Sequence, residues 1–386
     1  MKIGIVCYPT YGGSGVVATE LGKSLAENGH QIHFISYKQP FRLGHFHENI
    51  TFHEVSFSNY PLFEFPPYET ALAGKLVDTV KFSKLDLIHV HYAIPHASAA
   101  YLAKNILKQQ GIHIPVVTTL HGTDITLVGK DVTFSPVVAF SIEQSDGVTA
   151  VSESLKQQTY KFFDVKKEIE VIPNFVDMNV FARSDKNHFR KAIAPNNEPI
   201  LLHTSNFRKV KRVEDVVMTF SKILERIPAK LLLVGDGPDR KKAERMCRDL
   251  GTCDHVRFLG KQDAIGELLA VADLFLLPSE SESFGLAALE AMACSVPVIS
   301  SNTGGIPELN VHGKTGFLSK VGETDDMATN ALKLLTNPEL LAEFSANALE
   351  QATRFDIQNI MPRYEQFYET VLKESKREPL LIGSQN

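Results

Sequence analysis

Ten short apolar runs alternate with helical patterns along this chain, and that alternation limits the folds open to it more than any other feature. In the first half Ile3–Cys7, His33–Ile35, Leu87–Val90, Val116–Leu120 and Val148–Val151 read as strands. Between them Val16–Glu27, Ala97–Gln109 and Ser152–Phe163 show helical periodicity. In the second half Ile200–His203, Leu231–Val234, Val256–Leu259, Leu274–Leu277 and Val298–Ser300 alternate with helices near Val213–Arg226, Asp239–Leu250, Ala264–Val271 and Leu286–Ala293. A strand that is apolar throughout, rather than at every second residue, is covered on both faces. That is the pattern of parallel α/β sheets.

One open sheet of ten or more strands is disfavoured, and 386 residues suit two or three domains. The polar stretch between Ile172 and Pro199, punctuated by Asn174, Pro195, Asn196 and Asn197, marks the break. The expected organisation is two doubly wound, Rossmann-like domains facing across a cleft. They span 1–175 and 199–352, with a linker at 176–198, a C-terminal helix at 353–375 packing back on the first domain, and a tail at 376–386. Such folds bind ligands outside the carboxyl ends of their strands.

With 40 basic against 45 acidic residues, and the basic ones scattered, the chain lacks the footprint of a nucleic-acid or charged-membrane partner. No run approaches the ~20 apolar residues of a membrane span. Ile3–Cys7 meets Pro9 too soon to be a signal-peptide core. Four dispersed cysteines without a C-x-x-C pair point to a reduced, cytoplasmic setting. A homo-oligomer is compatible with all of this.

The motifs fall at strand tips. Gly12-Gly13-Ser14-Gly15 follows the first strand and opens a helix, so its N–H groups can approach an anion. Gly13 to Ala18 also fits the dinucleotide fingerprint, although the second strand ends Ser36-Tyr37-Lys38, without the ribose-binding acid. A plain tight turn and an NADP site, with Lys38 on the 2′-phosphate, are the other readings of this loop. His121-Gly122-Thr123-Asp124 ends another strand, where the histidine can reach a ligand. His89 and His91 share a strand face, with His96 nearby, but no acid or cysteine joins them, so packed or hydrogen-bonded histidines are favoured over zinc. With no D-x-D pair, no metal is expected.

In the second half the strongest signal runs from Pro278 to Ala293: a strand end, a loop with Glu282, a helix start near Gly285, and Glu290 inside an apolar helix. At ~1.5 Å per residue the two acids stand roughly 9–12 Å apart, about the span from hexose to ribose in a nucleotide sugar. Glu282 suits the sugar hydroxyls and Glu290 the ribose, with the N–H groups between them facing the diphosphate. Two solvated glutamates are the bland alternative, and it leaves a carboxylate among apolar neighbours unexplained. Asn206-Phe207-Arg208-Lys209-Val210-Lys211-Arg212 puts four cations in five residues where a helix starts, a conflict with the dipole that a bound diphosphate removes. Arg208 suits a bidentate grip and Lys211 a point charge, against a solvated basic face as the competing account. Gly235-Asp236-Gly237-Pro238 and Gly304-Gly305-Ile306-Pro307-Glu308 read as strand-to-helix loops.

These motifs, with Val171-Ile172-Pro173-Asn174, resemble the retaining glycosyltransferases of family 4, over nearly the whole chain and with a specific E-x7-E element. The resemblance implies the GT-B fold. Asn206 stands where many members carry the diphosphate arginine, which moves that role to Arg208, and Ser295 and Phe175 replace glycines usual in the family. Cys7-Tyr8-Pro9, Pro40-Phe41-Arg42-Leu43, His91 to His96, Thr118 to Thr126 and Ser205 to Arg212 narrow the resemblance. They point to the branch that moves GlcNAc from UDP-GlcNAc to L-malate with retention, the first step of bacillithiol biosynthesis.

A metal-independent transferase without a cofactor is implied. Its expected catalytic residues are Arg208, Lys211, His121 and Glu282, with His121 on the donor hexose. The expected donor site is Gly13, Ser14, Gly15, Asn206, Arg208, Lys211, Gly235, Glu282, Ser283, Phe284, Gly285, Leu286 and Glu290. Ser14, Arg42, Tyr92, Thr119 and Asn206 are the acceptor candidates. Three alternatives stay open: a transferase acting on a lipid or another small alcohol, with Pro61–Pro67 as an aromatic but acidic docking segment; an NADP-dependent reductase; and a non-catalytic sugar-nucleotide sensor.

Overall fold

The computed structural model describes residues 1–10, 12–44, 46–57, 64–183 and 187–376. The chain forms two compact units, one of Met1–Asn174 together with the C-terminal segment from Ile357, the other of Phe175–Asp356. The first holds seven strands: β1 (Lys2–Val6), β2 (Gln31–Ser36), β3 (Ile50–Glu54), β4 (Leu87–His91), β5 (Val116–Leu120), β6 (Gly147–Ala150) and β7 (Ile169–Val171). They pair in parallel in the order β3-β2-β1-β4-β5-β6-β7. The second unit holds β8 (Ile200–Thr204), β9 (Lys230–Val234), β10 (Val256–Gly260), β11 (Leu274–Leu277), β12 (Val298–Ser301) and β13 (Gly316–Ser319). Their order, β10-β9-β8-β11-β12-β13, is also parallel throughout.

All ten strands read from the sequence are present. The three that the apolar runs did not reveal, β3, β7 and β13, are sheet edges. β3 has no fully buried residue and exposes Thr51 and Glu54, and β7 and β13 have only three and four residues. An edge strand lacks a neighbour on one side and needs no unbroken apolar run. In each sheet the strand order reverses once, between β1 and β4 and between β8 and β11. A doubly wound sheet opens its ligand crevice at that switch point.

The helix Ile357–Ser375 belongs to the first unit, although it follows the whole of the second in sequence. It buries Tyr364, Tyr368 and Val371. At Gly147 on β6 an added Cβ would lie 2.7 Å from Val371 and 2.8 Å from Phe367, so the strand admits the helix only by lacking a side chain. Tyr368 OH lies 2.8 Å from His89 Nδ1, and Glu365 holds His30 at 2.9 Å. Each tyrosine contributes about 1.5–3 kcal/mol of apolar burial.

The segment 176–198, expected as a linker, lies within the second unit and carries the helix Asn187–Ile193. Arg190 in that helix forks onto the Asp273 carboxylate at 3.2 and 2.8 Å and donates to the Val271 carbonyl at 2.7 Å. Asp273 in turn accepts the Ile200 N–H at 2.8 Å, which ties the segment to the start of β8. Within it 184–186 lie outside the described residues, as do 377–386 of the expected tail. No helix among the described residues is long and apolar enough to cross a membrane.

Candidate active site

In the second unit the loops after β8, β9, β11 and β12 are bonded into one surface. His203 on β8 fixes the first of them. Its Nδ1–H donates to the Leu276 carbonyl at 2.8 Å, so Nε2 is free to accept from Ser205 Oγ at 2.8 Å. Ser205 Oγ accepts the Phe207 N–H at 3.2 Å, and the fully buried Phe207 ring stacks on His203. Burial lowers the His203 pKa to about 4, which keeps the ring neutral in this role. Phe207 and Arg212 take φ values of 41° and 48°, strained for residues with a side chain; Arg208 and Lys209 between them are exposed, as is Asn206 just before. Ser295 likewise has φ 61°, a conformation that favours glycine.

Glycines let the other loops come this close. A Cβ on Gly235 would stand 1.8 Å from the Ser205 carbonyl oxygen, and one on Gly237 2.0 Å from that of Asn206. Gly235 is thus a spacer beneath the cationic loop rather than a flexible turn. The Glu280 N–H donates to the Val210 carbonyl at 2.8 Å, joining the β8 and β11 loops. The Gly305 N–H donates to the Glu282 carbonyl at 2.9 Å, where a Cβ on Gly304 would stand 1.8 Å from the same oxygen.

On this surface Lys211 Nζ reaches Glu282 Oε1 at 2.5 Å, and Ser279 Oγ donates to that oxygen at 2.9 Å. Oε2 has no hydrogen-bond partner among the described residues. Gly285, at φ 97°, precedes the helix Leu286–Ala293, and Glu290 is buried within that helix. Ser283 and Leu286 are half-buried beside it. Phe284 turns inward, its ring edge-on to Phe355 at 5.4 Å, so only its backbone can meet a ligand.

The dipole argument from the sequence needs correction. Glu214 and Asp215 occupy the first turn of the helix Val213–Leu224, and Asp215 binds Arg212 at 2.6 Å. The helix therefore answers its own N-terminus, and Arg212 is engaged within the protein.

In the first unit Ser14 Oγ, at the start of the helix Gly13–Glu27, lies 2.7 Å from Tyr92 OH at the β4 tip. A Cβ on Gly15 would approach the Tyr8 and Thr10 carbonyl oxygens at 2.6 and 2.7 Å, so this glycine closes the loop. Tyr92 takes φ 92°, a strained backbone at a strand tip. Its ring contacts Tyr8 and His121, with centroids 5.5 and 5.3 Å away. Asp124 ties the β4 and β5 tips together: Oδ1 accepts the Gly122 and His121 N–H groups at 3.0 and 3.3 Å, and Oδ2 accepts that of Ala93 at 2.9 Å. Burial raises its pKa to about 6 against the pull of those N–H bonds. Arg42, in the loop after β2, takes φ 66° and lies over Phe41.

Thr119 is corrected as an acceptor residue. It is fully buried, and its hydroxyl joins His89 Nε2 and Thr149 Oγ1, each at 2.7 Å. On a strand covered on both faces, a polar residue one step from the tip points into the interior. His203, Ser279 and Asp124 are the structural supports that sequence reasoning left without a role. A histidine inside an apolar run was the available signal for the first. Among the described residues no three His, Cys, Asp or Glu side chains gather as metal ligands. Of the aromatic segment Pro61–Pro67, residues 61–63 lie outside the described residues.

Comparison with known proteins bears on this arrangement. Residues 11–180 match Glycosyltransferase Family 4, and residues 184–351 match glycosyl transferases group 1. N-acetyl-alpha-D-glucosaminyl L-malate synthase of Bacillus anthracis is 50% identical over 378 residues, covering 97% of this chain and 98% of that protein. The chain belongs to the family 4 glycosyltransferases. Sucrose-phosphate synthase of Thermosynechococcus elongatus superposes with a TM-score of 0.80 at 21% identity, over 97% of this chain and 100% of that one. Anabaena HepE, solved with UDP-glucose, gives 0.79 at 24% identity, over 96% and 99%. Both likenesses are of fold, and they make this transferase GT-B. Membership of a glycosyltransferase family over both halves of the chain overturns the reductase reading.

Proposed function

We propose that this chain transfers N-acetylglucosamine from UDP-GlcNAc to the hydroxyl of L-malate with retention of the α configuration, releasing UDP, in the cytoplasm and as the first step of bacillithiol synthesis. The observation that carries the reading is the half-identity, over almost the full length, to a protein named for that product. The β8/β11 crevice supports the donor half. Arg208 and Lys211 neutralise the diphosphate, Lys211 keeping two further N–H donors after its bond to Glu282. Glu282 is anchored through Oε1 and offers Oε2 to hexose hydroxyls, and Glu290 accepts from the ribose. The N–H groups from Ser283 to Leu286, with Gly235 and Asn206 beside them, complete this side.

In the first unit Gly13, Ser14 and Gly15 meet the reacting end, His121 contacts the hexose, and Ser14, Tyr92 and Arg42 serve the malate. The C1–phosphate bond breaks as the C1–oxygen bond to malate forms on the same face, and the malate hydroxyl proton passes to the departing phosphate oxygen. Charge grows on UDP in that step, and fixed cations placed to receive it lower the barrier. Side-chain cations and peptide N–H groups supply the counter-charge, so no metal is required. The test is UDP release from UDP-GlcNAc with a panel of hydroxy acids and a chelator present. Malate-dependent release is expected. Release indifferent to malate, or strictly dependent on an added divalent ion, overturns the reading.

A further inference from the structure

Behind His121 stands a second histidine. His91 Nδ1 lies 2.8 Å from His121 Nε2, with the rings 5.0 Å apart and 24° from parallel. Burial holds both pKa values down, that of His121 to about 3, so both rings are neutral near pH 7. A neutral pair shares one proton across this bond, and what the outer nitrogens meet decides which ring donates it. His91 Nε2 is buried without a partner among the described residues. Were His121 the donor, His91 would carry its proton on Nε2, as an N–H with no acceptor. With His91 as donor that atom is a bare lone pair, and a buried donor lacking an acceptor is the rarer defect in proteins. His121 then holds its own proton on Nδ1, the ring nitrogen not turned toward His91.

We propose that His91 is a positioning residue: by donating from Nδ1 to His121 Nε2 it fixes the His121 tautomer and turns His121 Nδ1–H into a hydrogen-bond donor for an oxygen of the substrate. The surroundings hold both partners in place. His96 Nδ1–H donates to the His91 carbonyl at 2.5 Å, and its Nε2 accepts from Tyr68 OH at 3.3 Å. Asp124 grips the His121 N–H on the other side. An inward-facing Nε2 and an outward-facing Nδ1–H set the orientation of the ring as well as its protonation. Misplacing such a group is costly even when it does not itself react. The inference rests on His121 serving the transfer proposed above.

The test begins with the full-length protein labelled with 15N-histidine. Long-range proton–nitrogen spectra report the tautomer of each ring, and the His121 signals are those lost in His121→Gln. A proton on Nδ1 is expected; a proton on Nε2 overturns the proposal. Two variants carry it to activity. In His91→Asn the side-chain amide can stand near the position of Nδ1 and still donate, whereas His91→Phe keeps a ring and removes the donor. We expect His91→Phe to lose the single tautomer and about 30- to 100-fold of kcat, with UDP affinity unchanged, and His91→Asn to recover to within about 5-fold of the native rate. Native turnover in His91→Phe, or equal losses in two variants that melt like the native protein, overturns the role. If the native protein releases no UDP with malate, the functional reading fails, and the spectra still decide what His91 does.

Discussion

At the β8/β11 reversal the side chains that meet are Lys211, Glu282 and Ser279, with exposed Arg208 and Lys209 alongside. At the β1/β4 reversal they are Ser14 and Tyr92, with His91 at the end of β4 bonded to His121 after β5, both imidazoles kept neutral by burial. Both crevices come from the same strand order, so topology decides where a ligand binds and the tip residues decide which ligand. Full charges on exposed loops suit a diphosphate. Neutral, mutually bonded aromatic and imidazole groups suit the orientation of hydroxyl groups, since none of them must shed a counter-ion.

The sharpest way to break this comparison is acid. Burial lowers the pKa of six histidines in the first unit, His33, His53, His89, His91, His96 and His121, against His203 in the second. A histidine whose folded pKa lies below its unfolded 6.5 contributes stability that is complete above pH 6.5 and is lost as the pH falls toward the folded value. Asp124 acts in the opposite sense: with a folded pKa of about 6, its contribution is present at low pH and lost as the pH rises. Six groups outweigh one. Between pH 6.5 and 4 the first unit should lose several kcal/mol, and the second no more than about 3 kcal/mol. Hydrogen exchange resolved by peptide would show amides of β4 and β5 losing protection before those of β8 and β11. Simultaneous loss would abolish the distinction.

Next in size is Lys211→Ala, expected to cost about 3 kcal/mol of transition-state stabilisation, or ~100-fold in kcat/KM, with the melting temperature little changed. Arg208→Ala should fall in the same range. Near-native turnover in both would remove the charged crevice from the chemistry. Gly304→Ala probes how that crevice is built. With φ at 56° and the Glu282 carbonyl in the way, it should cost about 2 kcal/mol in denaturant unfolding and weaken UDP-sugar binding. The smallest effect belongs to the other unit. Tyr368→Phe removes the hydroxyl from buried His89 and should cost about 1 kcal/mol by urea titration, with UDP affinity unaltered.

How much of this was legible in the sequence follows from burial. Central strands covered on both faces announce themselves as apolar runs, whereas β3, half exposed, does not. The cations at 208–212 and the acid at 282 stood out because they follow apolar strands, and the acid at 290 because it interrupts an apolar helix. What could not be read is which way a residue faces on a strand buried on both sides: Thr118 and Thr119 are both fully covered, and only the pairing of β5 with its neighbours places the second beside His89. Nor does sequence separation reveal that residues 211 and 282, on different loops, share a hydrogen bond. That contact depends on β8 and β11 being neighbours in the sheet. Asp215 was in plain view, but Arg212 stands just before the helix with φ 48°, so their bond is set by the loop conformation and not by helix spacing.

The return of the helix Ile357–Ser375 to the unit where the chain starts has a consequence for biosynthesis. A ribosome finishes the second unit once Asp356 has emerged, while β6 of the first unit is still bare at Gly147 and His89 still lacks its tyrosine. The domain begun first is thus completed last, and a premature stop codon shortly after residue 356 would strike the N-terminal half of the enzyme while leaving the later half whole.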